Sequence, residues 1–245
     1  MKKNTFVFAG VVVLVVVIYF FGMNNNKVSV PEVTPVEHAS FVLNWKGRVI
    51  YVDPVDKEKF AGQPEPDIIL ITDIHGDHLD PMALKVLAKA ETIIVIPRAA
   101  SFRMPAELMP QVLMMDNGET KKVLDFNIQA IPMYNLPESP GAFHVKGRGN
   151  GYVVENGGGR IYISGDTSGT PEMRGLKDID IAFVAMNLPY TMSVEEAAGA
   201  VLEFAPKKVY PYHYRISEGF SDVAKFKQLI DEGEKDIEVV ALEWY

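Results

Sequence analysis

The segment ILITDIHGDHLDP, Ile69 to Pro81, places Asp73, His75, Asp77 and His78 within six consecutive residues, directly after a run of aliphatics. Imidazole and carboxylate are the nitrogen and oxygen ligands of first-row divalent ions, so the chemistry this cluster offers is metal binding. The chain contains no cysteine, which excludes disulfides and thiolate ligands and leaves His, carboxylate and amide groups as the only strong donors. Other candidates also follow strand-like runs: Asp166 after RIYISG, His213 after KKVYPY, and Asn135 after IQAIPMY. His144, in FHVKGRGNG, and His38, in EHAS, complete the histidines.

These residues need elements to carry them. DIILIT and TIIVIP are continuous aliphatic runs of the kind found in strands buried on both faces. Between them DPMALKVLAKAE has helix form, with Asp80 as cap and Pro81 at the first helical position. SFVLNW and RVIYVDP flank Lys46-Gly47 as a hairpin. KKVLDFNIQAIPMY, GYVVEN, RIYISG and DIAFVAM read as strands; a capping box, Ser193 to Glu196, opens an Ala-rich helix before Pro206. The strand KKVYPYH, a helix around Val223 to Ile230 and the strand DIEVVAL close the chain. Strand and helix blocks that alternate predict sheets covered by helices, with polar groups at the strand C-termini gathered on one edge. Gly76 is expected to let its loop fold back so that its neighbours point inward. An isolated HGDH reads as surface polarity; coupled to a buried strand, a capped helix and matching groups at other strand ends, it reads as a metal site.

The 245 residues, 48% of them hydrophobic, suffice for one substantial core. With 24 basic against 32 acidic side chains and no basic–aromatic stripe, nucleic acid is not an expected partner. The uncharged apolar run from Phe6 to Met23 spans roughly 27 Å as a helix, close to the hydrocarbon thickness of a bilayer. It is long for a cleaved leader, and Phe20 and Phe21 occupy positions where small cleavage-site residues belong, so residues 1–26 are expected to be a transmembrane anchor, with a removed signal segment as the alternative. Lys2 and Lys3 before the run place the N-terminus in the cytoplasm and residues 27–245 on the extracytoplasmic side, or secreted or periplasmic if the leader is cleaved.

The order of these pieces resembles the metallo-β-lactamase fold: a strand, an HxHxDH-like loop, a helix, then GDT after a strand, and a final His after another. Within that fold, EHASFVLNWKGRVIYVDP, RIYISGDTSGTPEM and YTMSVEEAAGAVLEFAPKKVYPYHY are similar to the branch of ascorbate-6-phosphate lactonase and N-acyl-phosphatidylethanolamine phospholipase D, over about Val30 to Val240. The resemblance implies an α/β protein, an αββα sandwich with one or two divalent metal ions at one edge. Zinc is the first choice of ion, with manganese or iron as alternatives. It implies that His75 sits on the first metal, that Asp77, His78 and His213 lie on or beside the second, and that Asp166 bridges them. Asp77 and His78 would carry catalysis.

Two positions depart from the pattern. Asp73 stands where the family's first His normally is, and Asn135 where another His often follows a strand; both fall on the first metal site, which is left weak, altered or empty unless His144 supplies an imidazole. His144 is read either as that ligand or as loop polarity, and His38 as a substrate contact or as a His bonded under the first hairpin. Asp53 is expected to orient a ligand, KGRGNG to be a glycine-rich turn rather than a phosphate loop, and one of Tyr212 and Tyr214 to face the core. The function these residues imply is a metal-dependent hydrolase that directs a metal-bound hydroxide at an ester, lactone, amide or phosphodiester of a small-molecule substrate. The alternative is a degenerate member that binds metal or ligand without turnover.

Overall fold

The computed structural model describes residues 31–245. The expected anchor or signal segment lies outside the described residues, and among the described residues no helix is long and apolar enough to cross a membrane.

Two sheets stack face to face. The first runs in the order β1 (Glu32–Glu37), β2 (Ser40–Trp45), β3 (Arg48–Val52), β4 (Ile68–Leu70), β5 (Ile93–Pro97) and β6 (Val112–Met115). Its first three strands are antiparallel and β3 to β6 are parallel. The second sheet is built from β7 (Thr120–Val123), β8 (Phe126–Met133), β9 (Gly149–Asn156), β10 (Gly159–Ile163), β11 (Ile181–Ala185) and β12 (Lys208–Tyr212). A small ribbon follows, β13 (Arg215–Ile216) with β14 (Gly219–Phe220), and β15 (Glu238–Val239) then joins β12 at the edge of the second sheet. Helix α1 (Pro81–Leu87) packs outside the first sheet; α2 (Pro171–Arg174), α3 (Val194–Phe204) and α4 (Val223–Glu232) cover the second. The result is the αββα sandwich that the resemblance implies.

The period-2 alternation of the strands divides the apolar residues between layers. Along β2, Phe41, Leu43 and Trp45 enter the core between the sheets while Val42 joins the outer cluster under α1. Along β11, Phe183 and Ala185 enter the same central core while Ala182 and Val184 meet α3. Both faces of these strands are buried, which is why they read as unbroken aliphatic runs.

The local signals hold with two amendments. Lys46 and Gly47 both take positive φ, 55° and 77°, forming the tight turn a two-residue hairpin requires. Asp80 Oδ1 accepts the backbone N–H groups of Met82 and Ala83, so α1 starts as predicted. It stops at Leu87 rather than running on to Glu91, because Thr92 Oγ1 accepts from Lys89 N and donates to Pro66 O, closing a turn before β5. Ser193 caps α3 through Glu196 N, but the Glu196 carboxylate accepts from Gly169 N instead of completing the reciprocal half of the box.

Candidate metal centre

One edge of the sandwich collects the C-terminal ends of β3, β4, β10, β11 and β12. Asp53 follows β3, Asp73 to His78 follow β4, Asp166 follows β10, Asn187 follows β11 and His213 follows β12. The loop carrying Asn135 and His144 joins β8 to β9 on the same edge.

The donors form two groups joined by one carboxylate. In the first, His75 Nδ1 is 2.6 Å from Asp73 Oδ2 and His144 Nε2 is 3.6 Å from the same oxygen. In the second, His78 Nε2 and His213 Nε2 are 3.2 Å apart and Asp77 Oδ2 is 3.6 Å from His213 Nε2. Asp166 stands between them: Oδ2 is 3.3 Å from His144 Nε2 and 3.4 Å from His78 Nε2, and Oδ1 is 3.3 Å from His213 Nε2. Donors of a tetrahedral ion at about 2.0 Å lie about 3.3 Å from one another, so the spacings other than the 2.6 Å between His75 and Asp73, which is that of a direct ion pair, match ligands arranged around metal positions. Both oxygens of Asp73, His144 Nε2 and Asp166 Oδ1 are buried without a hydrogen-bond partner. Buried polar atoms are ordinarily satisfied, and a divalent cation is the partner this donor set fits.

The rings are aimed by their far nitrogens. His78 Nδ1 donates to Asp53 Oδ2 at 2.8 Å, and Asp53 also accepts from the Thr72 amide and hydroxyl at 2.7 and 2.6 Å. His144 Nδ1 lies 3.2 Å from both Asn135 Oδ1 and the Tyr190 carbonyl, two acceptors that place its proton there and leave Nε2 free. Asn135 Oδ1 also accepts the His144 backbone N–H at 2.8 Å. His213 Nδ1 meets the Asn187 amide at 2.9 Å, and Thr191 Oγ1 donates to Asn187 Oδ1. His38 Nε2 is 3.2 Å from Asp77 Oδ2, its Nδ1 contacts the Tyr245 hydroxyl at 2.8 Å, and its ring lies against that of His213 with centroids 3.8 Å apart and planes tilted by 44°. Asp53, His38 and His213 all hold left-handed backbone, φ 42°, 57° and 46°, three of the nine non-glycine residues with positive φ among the described residues.

Burial and the local charges oppose one another here. Burial resists ionisation of Asp77 and Asp166, yet hydrogen bonds from His213 and His38 to the first, and the charges of His213 and His78 beside the second, hold both carboxyls well below the usual range. Burial pulls His78 down, but Asp166 and Asp53 outweigh it and raise it well above an ordinary imidazole. His144 goes the other way, lowered by burial in spite of Asp166 and Asp73.

The cavity over this edge holds about 450 Å³. It is lined by His75, His144, Asp166, Asp77 and His38 together with Phe143, Tyr190, Asn187, Arg215, Ile216 and Ser217. Phe143 and Tyr190 meet edge to face at 4.9 Å. Arg215 is the one Lys or Arg among the lining residues.

The sequence-predicted residues therefore come together at one edge. Asn135 Oδ1 accepts the His144 backbone N–H and lies 3.2 Å from its ring Nδ1. His144 lies in a group with Asp73 and His75. His38 lies with Asp77 and His213. The expectation for Gly76 is corrected: its φ is not left-handed and a Cβ there would meet nothing, so the loop folds back through Leu79 N and His78 N bonding to the His75 carbonyl instead. Sequence reasoning missed Asn187, Arg215 and Tyr245. Asn187 carried the same signal as the others, a polar residue directly after a strand; Tyr245 carried none.

An αββα sandwich with histidine and aspartate gathered at one sheet edge is the arrangement of metallo-β-lactamase-fold proteins. The chain belongs to that superfamily: the family described as beta-lactamase superfamily domain matches residues 32–213. It belongs, within it, with the UPF0173 metal-dependent hydrolases. It is 31% identical to the one from Thermococcus onnurineus over 203 residues, 79% of this chain and 89% of that one. It is 29% identical to that of Methanopyrus kandleri over 223 residues, 86% and 96% of the two chains. The crystal structure of a protein from Parabacteroides distasonis, named as a metal-dependent hydrolase, superposes with a TM-score of 0.76 and 36% identity, covering 88% of this chain and 94% of that one.

Proposed function

We propose that this metal-dependent hydrolase cleaves an ester, lactone, amide or phosphodiester bond in a small anionic molecule, using two divalent ions with zinc as the first choice. The observation that carries the reading is the double cluster joined by Asp166. Asp73, His75 and His144 would hold one ion, Asp77, His78 and His213 the other, with Asp166 shared. Divalent ions so placed acidify a water and polarise the oxygen of the scissile bond. Asp53 and Asn135 fix the rings of His78 and His144 with Nε2 turned to the site, and Asn187, donating from Nδ2, holds the ring of His213 in place. His38 buttresses Asp77 through its Nε2, 3.2 Å from Oδ2.

The cavity supports the substrate class. Its volume suits a small molecule, Phe143 and Tyr190 offer apolar lining, and Arg215 offers a guanidinium to a carboxylate or phosphate group. The motif order shared with the lactonase and phospholipase D branch supports lactones and phosphodiesters as the first bonds to test. Residues 6–23 support a membrane-tethered enzyme with its active site on the extracytoplasmic side.

Metal content of the purified full chain, followed by assays on aryl phosphodiester, ester and lactone substrates, tests the reading. Two ions per chain with turnover that a chelator abolishes is the expected result. Metal and ligand binding with no turnover on any class would select the non-catalytic alternative. Membrane pellets that retain the chain through carbonate washing test the tether, and release of a soluble exported form would overturn it.

A further inference from the structure

The glycine-rich KGRGNG segment plays no part in the reaction as described, yet it is docked against the first metal position. Gly147 adopts φ 87°, and Gly149 has no room for a side chain: a Cβ there would lie 2.9 Å from the Thr72 carbonyl and overlap the Met133 side chain. Asn150 N donates to Thr72 O at 2.9 Å. This close approach carries Arg148 to the neighbouring Asp73, with Nε 3.6 Å from Oδ1. Arg148 Nη2 also donates to the Phe143 carbonyl, immediately before His144.

Three carboxylates face the two metal positions, and among the described residues Arg148 is the only Lys or Arg within ion-pair distance of any of them; their other charged partners are histidines. The two oxygens of Asp73 have different surroundings. Oδ2 faces His75 and His144, the donors of the first position, whereas Oδ1 faces the guanidinium. Arg148 Nε and Asp73 Oδ1 are both buried, neither has a hydrogen-bond partner, and each is the other's ion-pair partner.

We propose that Arg148 is a selectivity residue for the first metal position: it holds Asp73 Oδ1 away from the ion, so Asp73 offers one oxygen and the position favours a four-coordinate ion such as zinc over manganese. The proposal rests on the metal-centre reading above. Zinc in tetrahedral surroundings has no use for a further oxygen, whereas manganese is completed by additional oxygen donors. A carboxylate freed from the guanidinium can chelate with both oxygens, and manganese gains more from that than zinc does. Arg148 is a positioning residue here, acting on the ion only through Asp73.

The test is competitive titration of Zn²⁺ and Mn²⁺ into the metal-stripped full chain. Arg148→Gln should raise the Mn²⁺-to-Zn²⁺ affinity ratio at the first position by about tenfold, in keeping with the size of outer-ligand effects. Arg148→Lys, which keeps the charge, should stay within about twofold of the unaltered chain, and in an Asp73→Asn background Arg148→Gln should have no effect on the ratio. An unchanged ratio in Arg148→Gln, or an equal change in the Asp73→Asn background, overturns the proposal. A crystal structure of the unaltered zinc-loaded chain gives an answer independent of any variant's folding: Asp73 bound to the ion through Oδ2 alone is expected, and both Asp73 oxygens on the ion refute the proposal. A chain that takes up no divalent ion overturns the metal-centre reading and this inference together, whereas two bound ions with an unmoved ratio overturn only the latter.

Discussion

The Nδ1–H of His78 points at Oδ2 of Asp53, 2.8 Å away, and neither side chain is reached by solvent. Asp53 enters from the end of β3 and His78 from the loop after β4, so the pair ties the two parallel strands together at the metal edge. Asp53→Ala would take the carboxylate from His78, leaving it only the Thr72 hydroxyl at 3.0 Å, and leave the buried Thr72 N–H unpaired. We expect zinc affinity to fall by about 10- to 100-fold, with stability lowered by about 1–3 kcal/mol for the unpaired group. Calorimetric metal titration and urea unfolding of the metal-free variant measure the two effects separately.

The metal-free and metal-loaded forms should diverge with pH. His78 is raised well above its unfolded value of about 6.5 by Asp166 and Asp53 acting against burial, so its contribution to the metal-free fold is complete below that value and is lost as pH rises through the folded pKa. Metal ligation needs the neutral ring, and binding therefore gains as pH rises. The Tm difference between zinc-loaded and chelator-treated protein should be larger at pH 9 than at pH 6. Differential scanning calorimetry at the two values decides it, and a gap that shrinks toward alkaline pH would count against protonated His78 in the metal-free site.

Asp73 joins His75 and His144 in the first group, and its removal leaves two imidazoles there besides the shared Asp166. Asp73→Ala should reduce metal content from two ions per chain to one, while the group around His78 and His213 keeps its ion. Mass-spectrometric metal analysis after gel filtration gives the count directly; an unchanged stoichiometry would show that Asp73 is no ligand.

Arg215 reaches the cavity from β13, its backbone N–H held by the Tyr245 hydroxyl at 3.2 Å and its guanidinium 5.4 Å from the centre of the Tyr245 ring. Arg215→Gln should raise KM for a substrate carrying a carboxylate by about tenfold with kcat little changed, and leave a neutral ester of the same length unaffected. Paired assays on the two esters at low and high salt would show it. Equal losses on both would place Arg215 in the fold of the ribbon rather than in recognition.

Much of the architecture could be read from pattern because its causes are local. Aliphatic runs such as DIILIT announce strands buried on both faces, Lys46-Gly47 announces a tight hairpin, and Asp80-Pro81 announces a helix start. Adjacent elements misled where a distant residue intervened: Glu196 looked like half of a capping box, and its carboxylate bonds Gly169 from another loop.

The sequence by itself determined the donors and the edge on which they gather, because no cysteine is present, the acids and histidines follow strands, and strands of one sheet end together. Only the tertiary structure decided which donor meets which. Whether His144 ligates or Asn135 does depends on how the β8–β9 loop folds over Asp73, and that is set by Asn135 bonding to His144, by the Gly149 contact with Thr72, and by Arg148 reaching Asp73. Those contacts join residues far apart in the chain, and packing between the two sheets, to which periodicity within either is blind, brings them into register.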